Sequence, residues 1–383
     1  MNLDLDNAVN NIVDENKIKK LKEFEDVIVF GAGQSGEWVT KLLRNNGIFP
    51  ACYCDNYELK WGKEKNGLII YSFETAIARF PDAAICIASM WMAEIMEQIE
   101  CYDKRLLYRT WDLLSTMAWE TSDFLNVSSE KKWILNNIER LDNLYNILDD
   151  AYSKKTLEGL LNYRLTRDKN YLGMIRCEES VYLDKQVVPL QYAEKMRSGE
   201  VIIDGGAFDG DTAGHFINQL GKNEGVLNFH CYEAGERNCN LLYEKSKGWY
   251  SHKVHIHNSA LWNKSGLKVF FDESGMSGNI SNCGNAVVMT ECIDDFEYQN
   301  VAFIKLDIEG AERQALLGAV RTIEQKRPVL AICAYHLQDD LLALSDFIFA
   351  LKCEYKLILR HYMLSSGDTV LYAIPRQERE EIL

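Results

Sequence analysis

An excess of basic charge, a paired-cysteine motif and a membrane-length apolar run are all missing from this sequence. Each absence excludes a class of function. Acids outnumber bases 57 to 42, which leaves a formal net charge of −15. A protein that grips a phosphate backbone needs a basic face, because neutralised phosphates and released counterions drive that association. No long Lys/Arg run offers such a face, so no nucleic-acid partner is expected. The eleven cysteines are odd in number and scattered, with no C-x-x-C. They read as reduced, mostly buried small hydrophobes, which points to a cytoplasmic location. The most apolar stretch, Ala83 to Met96, is short and interrupted by Glu94, so no membrane insertion is expected. The opening MNLDLDNAVNNIVDENK is acidic and lacks the apolar core of a signal peptide.

What remains is an ordinary globular composition, 47% hydrophobic and 26% charged, over 383 residues. That length suits two or three domains. Residues 1–110 read as a Rossmann-like α/β domain. DVIVFGAG is a short apolar strand that ends in glycines, GEWVTKLLRNNG a helix closed by Gly47, and FPACYCDN and AAICIAS further strands. Residues 111–180 read as a helical connector. In it Ile134, Ile138, Leu141, Tyr145 and Leu148 recur at spacings of four and three, one apolar helix face, with Ser128 or Ser129 as its cap. The stripe packs on a domain or on a second copy of the chain; a homodimer is therefore one of two expectations. Over residues 181–383 the strand–glycine–helix pattern restarts. EVIIDGG, LNFHCYEA, KVHIHNSAL, LKVFFDE, AFIKLDIEG, PVLAICAYH, YKLILRHY and TVLYAIP are strand candidates. About seven strands with intervening helices fit a seven-stranded sheet that closes on an antiparallel hairpin.

Two loops carry the chemistry. In VIIDGGAFDGDT an apolar strand delivers Asp204, and Gly205, Gly206 and Gly210 precede the turn into a helix at Thr212. Glycines let a backbone approach a ligand closely, and the amides of a helix start favour its anionic groups. Dinucleotide sites use similar turns, so the loop alone does not name its ligand. Glu233 ends the following strand, where a carboxylate hydrogen-bonds ribose hydroxyls. AFIKLDIEGAERQALLGA then carries Asp307 and Glu309 out of a carboxyl strand end, with Glu312 as a helix cap. The second loop is VIVFGAGQSGEWV, a complete G-x-G-x-x-G at Gly31, Gly33 and Gly36, with Asp55 ending the next strand.

DGGAFDGDT, YEA, FIKLDIEGAERQALLGA and AYHLQDDLLALSDFI together resemble the FkbM family of S-adenosylmethionine-dependent methyltransferases, over residues 180–376. The resemblance implies a class I methyltransferase sheet and O-methylation of a hydroxyl on a small molecule, sugar or glycan. It places Asp204, Gly206, Gly210 and Thr212 on the loop that binds S-adenosyl-L-methionine, with Asp204 at the amino-acid end and Glu233 on the ribose. The sequence departs from the family at Ala234, usually proline, and at Phe208, often asparagine. Residues Val27 to Ser89 resemble the small Rossmann-like domains attached to nucleotide-sugar enzymes, which implies a nucleotide ligand or a scaffold.

Methyl transfer to a hydroxyl needs the oxygen placed in line and a proton removed. Positioning supplies on the order of 7 kcal/mol or more. His336, beyond the strand PVLAICAYH, is the first candidate base and His361 the second. Asp307, Glu309, Asp339 and Asp340 also permit a divalent cation such as magnesium. The segment Asp272 to Gly284 reads as a lid or acceptor loop. Two other readings compete. A nicotinamide-dependent oxidoreductase would use GAGQSG and Asp55 but leave KLDIEGAE unexplained. A non-catalytic nucleotide-binding protein would have no use for the intact glycines and acids of the second half.

Overall fold

A computed structural model describes residues 1–8, 15–89, 91–112, 130–220, 225–272, 279–280, 286–351 and 353–376. They form two compact units, one of Asp4–Leu135 with Arg164–Lys169, the other of Met1–Leu3, Asn136–Tyr163 and Asn170–Leu383. Among the described residues no helix is long and apolar enough to cross a membrane.

The first unit is built on strands β1 (Val27–Phe30), β2 (Cys52–Cys54), β3 (Glu64–Lys65), β4 (Leu68–Tyr71), β5 (Ala84–Ile87) and β6 (Thr110–Asp112), in the order β3-β4-β2-β1-β5-β6. Only β3 runs antiparallel to its neighbour. VIVF and AICI are buried along their whole length, as strands covered on both faces must be. The chain turns from β1 into helix Gln34–Asn45, and Gly47 takes φ +76° beyond its end. With β2 on one side of β1 and β5 on the other, connections leave the sheet in opposite directions. The carboxyl ends therefore open a crevice at that point.

The second unit contains β7 (Val201–Gly205), β8 (Asn228–Tyr232), β9 (Lys253–His257), β10 (Ala260–Leu261), β11 (Lys268–Asp272), β12 (Asn279–Ile280), β13 (Ala286–Glu291), β14 (Val301–Leu306), β15 (Val329–Cys333), β16 (Tyr355–His361) and β17 (Thr369–Pro375). Seven of these form one sheet in the order β16-β17-β15-β14-β7-β8-β9. It is parallel except for β17, which lies antiparallel to both β15 and β16. The hairpin expected at the end of the chain is this pair. LKVFFDE, however, does not join that sheet. It is β11, paired with β13 in a separate sheet of order β10-β13-β11-β12. Burial alternates along β13, so this small sheet has one wet face, and an alternating strand suits it better than the buried sheet does.

Helix Asp211–Leu220 presents Phe216 edge-on to Phe303 at 5.5 Å and Phe229 at 6.2 Å between centroids. Each fully buried ring contributes about 2–3 kcal/mol. Between β9 and β14 the chain passes through the small sheet and re-enters beside β7. The carboxyl ends of β7 and β14 thus flank the point where strand order reverses, and ligands of open α/β sheets gather there.

The apolar stripe of residues 134–148 is broken in two places. Asn137 separates helices Glu130–Asn136 and Ile138–Ile147, and Leu148 leaves the helix to form a β-bridge with Leu357 of β16. Ile134, Leu141 and Leu148 are buried, while Ile138 and Tyr145 are half-buried. Asp150 and Ser153 hold Arg360 of β16, at 3.0 Å from Asp150 Oδ2 and 2.9 Å from Ser153 Oγ. Those contacts tie residues 136–163 into the second unit. Ser128, Ser129 and most of the Asp272–Gly284 segment lie outside the described residues.

Candidate active site

The loop after β7 is made of residues that the protein's own packing requires. Gly206 takes φ +74°, and a Cβ there would lie 1.8 Å from the Asp307 carbonyl oxygen. A Cβ on Gly205 would meet Leu261 and Leu306 at under 3 Å, and one on Gly210 would meet Leu242 at 2.5 Å. Gly205 and Gly206 let β7 and the end of β14 close upon each other, and Gly210 lets the loop pack on Leu242 and Trp249, a different reason from the open ligand approach that the sequence suggests. Phe208 takes φ +46°, a conformation asparagine adopts at less cost, which explains why asparagine is the commoner choice there. Thr212 is buried in the first turn of the following helix.

Glu233, at the tip of β8, fastens this loop. One carboxylate oxygen accepts the Phe208 N–H at 2.9 Å and the other the Gly235 N–H at 2.8 Å. Burial raises its pKa, and those amides pull it back only in part. The Asn238 amide also donates to the oxygen that holds Gly235, at 3.4 Å, so the oxygen on Phe208 is the one that keeps a lone pair for a further donor.

Asp204 departs from expectation. It is 1% exposed, and its cation is Lys305 of β14, 3.1 Å away and itself buried. The two residues are Cα partners across β7 and β14. Burial raises the Asp204 pKa despite Lys305; burial also pulls Lys305 down, but Asp204 and Asp307 outweigh it and keep the ammonium charged. Lys305 also donates to the Gly206 carbonyl at 2.7 Å and lies 5.4 Å from the Tyr182 ring centroid. The ammonium beside Asp204 is therefore the protein's own, and Asp204 organises the loop from behind. Lys305 stands inside the quoted KLDIEG block, yet only the strand register reveals its partner.

Asp307 accepts the Tyr182 hydroxyl at 3.0 Å and the Tyr335 hydroxyl at 3.1 Å. Burial opposes its charge, but Lys305 and His336 outweigh burial and lower its pKa. Neither tyrosine carries a sequence signal of its own. Glu309 and Gly310 follow at φ +55° and +93°, two successive left-handed residues that swing the chain out of β14. Glu309 keeps about a third of its side chain exposed.

His336 is 8% exposed and ringed by acids. Its Nδ1 lies 3.0 Å from Glu312, and its Nε2 lies 3.4 Å from Asp307 and 3.6 Å from Glu309. Burial lowers its pKa, but Glu312, Asp307 and Glu309 together raise it to about 10. Both ring nitrogens thus face carboxylates that favour the protonated ring, an arrangement that suits a donor to Asp307 and Glu309 better than the base role expected of His336. His361 is no substitute. It is fully buried, 2.9 Å from the Thr369 hydroxyl, with its pKa pushed down to about 4 by burial. Glu312, read from sequence as a cap, accepts the Ile308 N–H at 2.8 Å and faces His336. Asp340 joins this cluster, whereas Asp339 is exposed at the helix start.

In the first unit the three glycines of GAGQSG have separate duties. A Cβ on Gly31, at φ +113°, would lie 2.4 Å from the Ala88 carbonyl oxygen, and one on Gly36 would lie 2.0 Å from that of Gly31. At Gly33 a Cβ would meet nothing within 4 Å. Asp55, at the end of β2, accepts the Ala32 N–H and the Lys60 ammonium at 2.8 Å each and the Tyr57 N–H at 2.9 Å. Burial opposes its charge, but Lys60 and the two amides lower its pKa.

Residues 204–357 match the methyltransferase FkbM domain family. Methyltransferase FkbM from Methylobacillus flagellatus KT has a similar structure, with 21% identity, 94% of each chain covered and a TM-score of 0.66. A protein of Streptococcus mutans described as a methyltransferase and solved in complex with SAH is 12% identical over 48% of this chain and 93% of that one, with a TM-score of 0.31. UDP-D-quinovosamine 4-dehydrogenase from Vibrio fischeri is 22% identical over 22% of this chain and 72% of that one, with a TM-score of 0.19. No curated protein matches the sequence.

Proposed function

From the premise that residues 204–357 are a methyltransferase FkbM domain on a class I sheet, and the chain an S-adenosylmethionine-dependent methyltransferase, we propose that its acceptor is a hydroxyl of a sugar or glycan. S-adenosylmethionine, when bound, supplies a methyl group already activated by its sulfonium. The observation that carries the cofactor assignment is Glu233, held at the tip of β8 by two backbone amides and the Asn238 amide, with one oxygen still able to accept from a ribose hydroxyl. Gly206, Gly210 and Thr212 shape the loop beside it. Asp307, at the tip of β14, receives the ammonium of the amino-acid end, a role Asp204 cannot take while it holds Lys305.

Glu309 lies next along the chain and remains accessible. It would orient the acceptor hydroxyl and take its proton while that oxygen takes the methyl group from the sulfonium sulfur, which would leave as a neutral thioether. His336 acts as a positioning residue, presenting its Nε2–H towards Asp307 and Glu309. The test is calorimetry with S-adenosylhomocysteine together with transfer of labelled methyl to a panel of glycans and nucleotide-linked sugars. Glu233→Ala abolishes binding, whereas Glu309→Gln keeps binding and loses turnover. If neither substitution changes either quantity, this reading fails.

A second site belongs to the first unit, where a nucleotide lies over Gly33. Gly33 is the one glycine of the motif whose missing Cβ leaves open space, as the approach of a pyrophosphate to a dinucleotide loop requires. Calorimetry of the full chain with NAD and with nucleotide sugars tests it.

A further inference from the structure

The residues around His336 form a cluster that methyl transfer does not account for. Glu312 opens helix Glu312–Leu317, His336 follows β15, and Asp340 opens helix Asp340–Ala350. All three are buried, and their potential ligand atoms lie within 4.8 Å of one another. One oxygen of each acid is already fixed by an amide, Glu312 by Ile308 N–H at 2.8 Å and Asp340 by Leu337 N–H at 2.7 Å. The other oxygen of Glu312, Oε2, is buried and has no hydrogen-bond partner among the described residues.

A buried carboxylate oxygen left without a donor costs the full desolvation of that atom unless something absent from the chain satisfies it. The acids gathered here point the same way, since Glu312 and Asp340 bring two buried carboxyl groups to one imidazole, while the ammonium of Lys305 is held by Asp204. The two ring nitrogens also face different groups. Nδ1 is turned to Glu312, while Nε2 is turned to Asp307 and Glu309. A metal-bound histidine takes this posture, with one nitrogen on the ion and the other N–H on a carboxylate that fixes the tautomer.

We infer that Glu312, His336 and Asp340 hold a divalent transition-metal ion, zinc or manganese. An imidazole with two carboxylates suits these ions, whereas magnesium prefers oxygen ligands and retained waters. That ligand set revises the magnesium suggested by the acids alone. The bound ion takes Nδ1 of the neutral ring and locks it with Nε2–H towards Asp307 and Glu309. The site stands independently of the acceptor proposed above.

The full chain, stripped with chelator and dialysed, is titrated with zinc chloride and manganese chloride by calorimetry, and with cobalt chloride by visible absorption. One ion per chain is expected, with an imidazole-coordinated cobalt spectrum. Binding should weaken roughly a hundredfold in Glu312→Gln and in Asp340→Asn, whose folding is checked by circular dichroism. If the stripped wild-type chain takes up none of the three ions at millimolar concentration, the assignment is overturned, and this needs no variant to fold. Unchanged binding in both folded variants overturns it as well.

Discussion

Replacing Lys305 with methionine keeps most of the apolar stem and removes the ammonium 3.1 Å from Asp204. Asp204 is 1% exposed, so water cannot take over. Breaking a buried pair from one side costs about 3–5 kcal/mol. The Gly206 carbonyl loses its 2.7 Å donor in the same step, which adds to the cost. The penalty is bounded, because an isolated buried carboxylate takes up a proton rather than bear its charge. About 4–5 kcal/mol is therefore expected at pH 7. The gap from wild type narrows as pH falls towards the ordinary aspartate range, where protonating Asp204 costs nothing. Asp204→Asn combined with Lys305→Met removes both charges and recovers most of the loss. Two compact units make a single global transition an unsafe readout. The assay is instead native-state hydrogen exchange on the amides of β7 and β14, which reports the local free energy of opening. If Lys305→Met exchanges like wild type, or the double variant is no better than the single, the pair does not organise this loop.

Other perturbations separate the two glycine loops and the buried acids. Gly206→Ala combines a left-handed φ with an overlap at 1.8 Å and should cost about 2–5 kcal/mol of local stability, read by hydrogen exchange on the β7 amides. Gly33→Ala sits at φ −88° with open space around it, so it should change amide exchange in the first unit by no more than about 1 kcal/mol, the cost of alanine at a helix N-cap, while weakening any nucleotide seen by calorimetry. Burial raises the Glu233 pKa, so S-adenosylhomocysteine affinity should begin to fall above the ordinary glutamate range as pH drops; a flat profile down to pH about 4 would exclude Glu233 as the ribose acceptor. His361 is depressed to about 4 from 6.5, so the unfolded chain takes up a proton first. Its stabilisation is complete above about pH 6.5 and lost as pH falls towards 4, about 3 kcal/mol in all. His361→Gln should flatten that part of the stability profile, and an unaltered acid limb would refute the assignment.

The sequence was most readable where burial leaves no choice. Runs such as VIIDG, VAFIKL and VLAIC are apolar because both faces of a parallel strand are covered, and they lie where the pattern puts them. LKVFFDE was just as visible as a strand, but its alternation reports a half-wet sheet without saying which one. Glu233 was legible because strand-end acids and glycine loops have fixed spacing. The Asp204–Lys305 pair was not, since it depends on the register of β14 against β7, a property of two distant segments. His336 stood out as a residue but not as a charge state. Glu312, with Asp307 and Glu309, favours its charged form, and Glu312 looks like an ordinary helix-start acid in the linear sequence. The stripe at 134–148 misled for a related reason. Its spacing continues through Asn137 and Leu148, where the backbone leaves the helix to satisfy other partners.

The position of β17 bears on how this unit is assembled during synthesis. The strand between β15 and β16 is the last of the seven to leave the ribosome. Until it arrives, β15 presents a bare, wholly apolar edge and β16 has no neighbour in the sheet. The nascent chain must therefore carry an open template for foreign strands until residue 375 is free. Shortening the protein from that side, even by a few residues before Pro375, would remove an interior stave rather than trim a rim.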